Sequence, residues 1–135
     1  MSAKLYRGSC LCGQLGFEAA GELYDLCFCH CNSCRLASGA PYVAWGTVDF
    51  KAFKVTHGEL SHCRSSTDVS RGFCHRCGTS VTYQHAKRLH EIDLALVTLE
   101  RAEDLAPGCH LWIADKLPWV ELADGLPQYS EWRVG

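Results

Sequence analysis

Ten cysteines in 135 residues, most of them grouped at metal-ligand spacing, restrict this chain more than any other feature. Thiols that dense in a short chain are either a disulfide framework or a set of metal ligands, and the redox compartment decides between the two. The opening Met1-Ser2-Ala3-Lys4-Leu5-Tyr6-Arg7-Gly8 lacks the apolar core that a secretory signal needs, and no stretch approaches the apolar length of a membrane span. The expectation is a cytoplasmic protein, with no membrane partner and with thiols reduced and free for metal.

The groups are Cys10-x-Cys12-Gly13, Cys27-x-Cys29-His30-Cys31-x-x-Cys34 and Cys74-x-x-Cys77-Gly78, with Cys63 and Cys109 isolated. A Cys-x-x-Cys turn brings two sulfurs together as tetrahedral zinc requires. The glycine after each outer pair suits the left-handed backbone that closes a metal knuckle. Cys10, Cys12, Cys74 and Cys77 therefore read as two halves of one closed, structural Cys₄ site, joining the start of the chain to its middle. The middle group differs, because Cys29, Cys31 and Cys34 offer three thiolates within six residues. Three protein ligands leave zinc an open fourth position, the usual arrangement of catalytic zinc. Cys27 shares strand parity with Cys29 and is either a fourth ligand or an inward-facing core thiol. His30, flanked by two ligand cysteines, points to the opposite face. A rival pairing joins Cys31 and Cys34 to Cys74 and Cys77 as a zinc ribbon. The stretch between those pairs is about twice the roughly 15–20 residues usual in ribbons. Cys63 and Cys109 read as plain core residues.

The rest of the chain reads as mostly β with short helices, in a single domain over 1–135. Leu15-Gly16-Phe17-Glu18-Ala19, Tyr42-Val43-Ala44-Trp45, Val81-Thr82-Tyr83 and Ile92-Asp93-Leu94-Ala95-Leu96-Val97 are strand-like, set off by glycine and proline. Only Asn32 to Ser38 and Leu99 to Leu105 look helical. The segment after Pro107, with Trp112, Trp119 and Trp132, reads as irregular, well-packed coil wrapped over the sheets. A net charge of −2, with both signs mixed along the chain, argues against a nucleic-acid zinc finger, which needs a clustered positive patch.

Five elements in order resemble one family. They are Gly8-Ser9-Cys10-Leu11-Cys12-Gly13, Cys29-His30-Cys31-Asn32-Ser33-Cys34-Arg35, Ser38-Gly39-Ala40-Pro41 and Arg71-Gly72-Phe73-Cys74-His75-Arg76-Cys77-Gly78-Thr79. The last is His110-Leu111-Trp112-Ile113 followed by Lys116-Leu117-Pro118-Trp119. Together they resemble the glutathione-dependent formaldehyde-activating enzymes, a family that includes the centromere protein V-like proteins. The resemblance implies an Mss4-like (β-tent) fold of stacked antiparallel sheets with short helices, stabilised by zinc. It also implies two zinc ions per chain: a structural one on Cys10, Cys12, Cys74 and Cys77, and a catalytic-type one on Cys29, Cys31 and Cys34. The implied activity joins glutathione and formaldehyde to S-(hydroxymethyl)glutathione, a carbon–sulfur lyase reaction run in reverse.

The chemistry follows from coordination. A free thiol has a pKa near 8.5 and is mostly protonated at neutral pH, whereas zinc strips the proton and presents a nucleophilic sulfur. Three thiolates on one divalent ion leave a centre of charge −1, which weakens its Lewis acidity; thiol capture with modest activation is the expected mode. Glutathione carries two carboxylates and one ammonium, so Arg35, Arg71 and Lys116, beside the family motifs, are candidate substrate-binding cations. His110 is the candidate proton acceptor near the second zinc, and Trp45, Trp112 and Trp119 are candidate pocket walls. The expected partner is a small thiol such as glutathione, with no nucleic acid; a homodimer is compatible with the sequence.

Overall fold

Short apolar alternations separated by glycine turns resolve into ten strands and one α-helix in the computed structural model, which describes residues 4–133. In chain order they begin β1 (Leu5–Ser9), β2 (Gly16–Ala20), β3 (Tyr24–Cys29), α1 (Asn32–Ser38), β4 (Val43–Asp49) and β5 (Phe53–His57). They continue β6 (Ser61–Ser66), β7 (Val69–Phe73), β8 (Ser80–His85), β9 (Glu91–Ala95) and β10 (His110–Leu111). A three-stranded sheet runs β1-β2-β5, and a seven-stranded sheet runs β10-β3-β4-β9-β8-β7-β6. Among the named strands every pairing is antiparallel except the parallel one of β10 with β3, where His110 lies opposite Phe28 and Leu111 opposite Cys29.

The large sheet has two chemically different faces, because side chains alternate along a strand and register partners share a face. Gly46 opposite Leu94 and Val48 opposite Ile92 turn toward the small sheet. There they pack with Leu15, Phe17 and Ala19 in the main core. Leu15, Val81 and Leu94 retain no exposed surface. Each such aliphatic contributes about 1.5–3 kcal/mol of burial free energy. The other face carries Cys27 and Cys29 beside Trp45, and a second buried cluster forms there with Cys34, Ala95, Cys109 and Leu111. One row of this face is polar. Thr47 is opposite Asp93, Asp93 opposite Tyr83, and Tyr83 opposite Arg71.

Two expectations change. Leu99 to Leu105 is not a helix: Arg101 sits at φ +59°, and only one 3₁₀ turn forms, at Ala102–Asp104. Leu99 is instead buried against the core with Leu105 packed beside it, so tertiary packing outweighs the segment's modest helical propensity. The segment after Pro107 wraps as foreseen but is more ordered than coil. Its backbone pairs with β10: His110 N–H donates to Pro127 O at 2.9 Å, and Tyr129 N–H to His110 O at 2.9 Å. No helix among the described residues is long and apolar enough to cross a membrane.

Candidate metal centres and the cleft

The first cysteine group lies where two hairpin turns meet. Between β1 and β2, Gly13 N–H donates to Cys10 O at 3.2 Å; between β7 and β8, Gly78 N–H donates to Cys74 O at 2.7 Å. Both glycines sit at φ +82°, which residues with a Cβ adopt only at a cost. Leu11 N–H donates to Thr79 Oγ1 at 3.0 Å and ties one turn to the other. The Sγ atoms of Cys10, Cys12, Cys74 and Cys77 all lie within 4.8 Å of one another. Cys10 and Cys12 are 3.6 Å apart, and Cys12 and Cys74 3.8 Å. A tetrahedron with metal–sulfur bonds of 2.3 Å has edges of about 3.8 Å, so these thiols stand at the spacing of a bound zinc-sized ion. Neutral dipoles support them. Leu15 N–H donates to Cys10 Sγ at 3.3 Å, and the Thr79 hydroxyl, 3.2 Å from Cys77 Sγ, is the main reason that thiol is held down at about 5.

Cys29, Cys31 and Cys34 form the second group, again with all Sγ atoms within 4.8 Å, and no fourth ligand atom joins them among the described residues. Cys29 ends β3, Cys31 is the N-cap of α1, and Cys34 lies within the helix; Cys31 Sγ accepts from Cys34 N–H at 3.3 Å. An N-cap thiol facing its own first turn and a buried residue one turn on thus converge on the end of a strand. The Cys34 thiol is held down at about 3, chiefly by Cys29 and Cys31, with Arg71 adding to the effect. Cys29 is pushed up by its own two sulfur neighbours, Cys31 and Cys34. Cys27 stands outside the group; it is buried, and burial pushes its thiol up to about 12. His30, just past the end of β3, turns instead toward His110, its Nε2 2.9 Å from His110 Nδ1.

These three sulfurs line a cavity of about 470 Å³ whose floor includes the polar row of the large sheet and whose size suits a small ligand. Trp45 and Trp112 line it as foreseen, joined by Trp132, which packs edge-on against Trp112 at 5.6 Å. Trp119 does not line it and is 70% exposed. Asp93 on the floor accepts from Thr47 Oγ1 at 2.7 Å and is paired with Arg88 at 3.4 Å. Burial nevertheless raises its carboxyl above the ordinary range. Arg88 also pairs with Glu91 at 3.0 Å, and Glu91 accepts from Tyr24 Oη at 2.6 Å.

Of the cations singled out in the sequence, only Arg71 lines the cavity. Arg35 donates to Asn32 Oδ1 at 3.2 Å on the surface of α1. Lys116 Nζ is committed to backbone carbonyls, those of Val120 at 2.6 Å and Leu117 at 3.2 Å. His110 does not reach the sulfurs. It is wholly buried, with Nδ1 2.9 Å from His30 Nε2 and Nε2 2.7 Å from Asp124 Oδ2, and it stacks on Phe28 at 4.9 Å. Parity explains this: His110 is opposite Phe28, while Leu111 is opposite Cys29, whose sulfur belongs to the three-thiol group. Cys109 is buried as expected, but Cys63 is exposed on β6. Sequence reasoning passed over Arg88, Arg133, Asp93 and Tyr83, all of which line the cavity. Only Asp93 left a signal, as the acid at the odd position of Ile92-Asp93-Leu94.

The sequence model of the family described as glutathione-dependent formaldehyde-activating enzyme matches residues 5–115. An uncharacterized lyase of Schizosaccharomyces pombe is 30% identical over 125 residues, covering 93% of this chain and 90% of the relative. Among solved structures, a Rhodobacter sphaeroides protein shares the fold with a TM-score of 0.61 at 23% identity, over 91% of this chain and 98% of that one.

Proposed function

The chain belongs to the glutathione-dependent formaldehyde-activating enzyme family, and on that basis we propose that it is a zinc-dependent carbon–sulfur lyase-type enzyme acting on thiol adducts of formaldehyde or another small aldehyde, with glutathione as the thiol. The observation that carries the reading is the convergence of three sulfurs, without a fourth ligand among the described residues, on the 470 Å³ cavity. Cys10, Cys12, Cys74 and Cys77 would hold a structural zinc, and Cys29, Cys31 and Cys34 a second zinc that takes its fourth ligand from the cavity. Soft thiolates favour zinc over hard ions such as magnesium. Bound there, zinc supplies a site that keeps a substrate thiol deprotonated at neutral pH and modestly polarises an aldehyde oxygen.

In the synthetic direction a bond forms between the thiol sulfur and the carbonyl carbon. The carbonyl π pair moves to oxygen, which takes up the proton the thiol gave away; the lyase direction reverses each change. The chain's own residues bind and orient. Arg133, at the cavity and donating to Asp25 O at 2.9 Å, faces a substrate carboxylate. Trp112 and Trp132 exclude water from one side. Arg35, Lys116 and His110, which do not line the cavity, make no substrate contact in this reading.

The competing reading is a non-catalytic thiol- or protein-binding module with Cys27 closing the second site. The position of Cys27 outside the sulfur group favours the open site. Mutating Cys31 to Ala separates the two. The variant is expected to keep its fold and one zinc and to lose turnover of S-(hydroxymethyl)glutathione; surviving turnover overturns the reading. Zinc-edge absorption of the two-zinc protein should average about 3.5 sulfurs per metal, and a value of about 4 marks a closed second site.

A further inference from the structure

Arg71 presents a charge problem that the cavity's carboxylates do not solve. It is 6% exposed, and no carboxylate among the described residues lies within 4.0 Å of it. A buried guanidinium without an anionic partner is strongly disfavoured. The nearest carboxylate on the same polar row, Asp93, already holds Arg88 and Thr47. What Arg71 does face is sulfur. Its two terminal nitrogens stand 4.0 and 3.9 Å from Cys34 Sγ, so the fork is centred on that one atom. The rest of the side chain is held in place: Nε donates to Ser65 Oγ at 3.2 Å, and the guanidinium lies 5.0 Å from the Tyr83 ring centroid. A neutral thiol is a weak acceptor and would leave the cation uncompensated, whereas a metal-bound thiolate would satisfy it.

We infer that Arg71 is the counter-cation of the three-thiolate metal centre, a positioning residue that neutralises the centre rather than a clamp on a substrate carboxylate. The inference rests on the proposed second zinc. Three thiolates on a divalent ion leave one negative charge, and one buried guanidinium cancels it. A neutral centre takes an anionic thiolate in its fourth position without net repulsion, which removes the electrostatic objection to thiol capture at this site. The first group needs no such partner. Cys10 Sγ accepts from Leu15 N–H, Cys77 Sγ lies beside the Thr79 hydroxyl, and Cys12 is open to solvent.

The test compares R71M and R71K with the wild type, each loaded with two zinc ions or two cobalt ions. In R71M the cleft zinc should be released to a chromogenic chelator about ten-fold faster, as expected for loss of an outer-shell partner, with release from the four-cysteine site unchanged. The sulfur-to-cobalt charge-transfer band of the cleft site should move to longer wavelength, because sulfur electrons lose the cation that stabilises them. R71K, which keeps the charge without the fork, should fall between. Unchanged release and spectrum, with only a raised KM for the thiol, would make Arg71 a substrate clamp and overturn the inference. If R71M does not fold, R71Q takes its place, and release rates must rise from wild type through R71K to R71Q. A wild-type protein that binds a single metal overturns the two-zinc reading and this inference together. One that binds two, with Arg71 variants indistinguishable from it, overturns the inference alone.

Discussion

The two cysteine groups use the same element chemistry in opposite settings. The first joins two glycine-closed turns at an end of the sheets, has all four corners of a tetrahedron and supports its sulfurs with neutral dipoles. The second has three corners, faces a cavity and sits against a buried arginine. A closed site can only hold the chain together; a site with an unfilled corner, an adjoining cavity and a fixed cation can also hold something else. In the proposed reading, the difference between a structural and a reactive metal would come from what surrounds the sulfurs more than from the sulfurs themselves.

Four experiments can break or sharpen that contrast. The largest effect is expected for Cys74→Ser, which removes a corner of the closed site. Structural zinc contributes on the order of 10 kcal/mol to domains that depend on it, so the variant should lose its cooperative thermal transition in circular dichroism. A melt close to that of the wild type would remove the structural assignment. Next, graded chelation of the two-zinc protein should release metal in two phases, with secondary structure lost only in the second; loss of structure in the first phase would reverse the roles. A smaller effect is expected for Gly78→Ala. Nothing lies within 4 Å of an added Cβ, so only the φ of +82° opposes it. That backbone cost of about 1 kcal/mol should lower Tm by a few degrees without changing zinc content. The smallest concerns Cys27, absent from both groups. With its thiol pushed up to about 12 by burial, its reactive anion is scarce at neutral pH. Iodoacetamide labelling of Cys27 should therefore lag well behind that of exposed Cys63 and should rise about ten-fold per pH unit between 7 and 9. Early labelling at pH 7 would place Cys27 among the reactive thiols.

Much of the site was legible because its markers are local. Spacing on a turn and a glycine after each pair both act within a few residues. The helix at Asn32–Ser38 was equally local, opened by Cys31 and closed by Gly39 at φ +71°. Leu99 to Leu105 misled because its apolar residues serve the core from an irregular backbone. The cleft's polar floor was not legible. Thr47, Asp93, Tyr83 and Arg71 become neighbours only through the registers of three strand pairings. His110 and His30, 80 positions apart, meet only because β10 runs parallel to β3.

The sequence by itself therefore determined the two cysteine groups and the mostly β character, since each depends on short-range spacing and alternation. Tertiary structure alone decided that Cys27 stays outside the three-sulfur group, that His110 faces away from it, and that Arg71 meets Cys34. Those outcomes depend on strand register and on which face of a sheet is covered. The sum of many weak pairings across the whole chain sets them, and no local motif carries them.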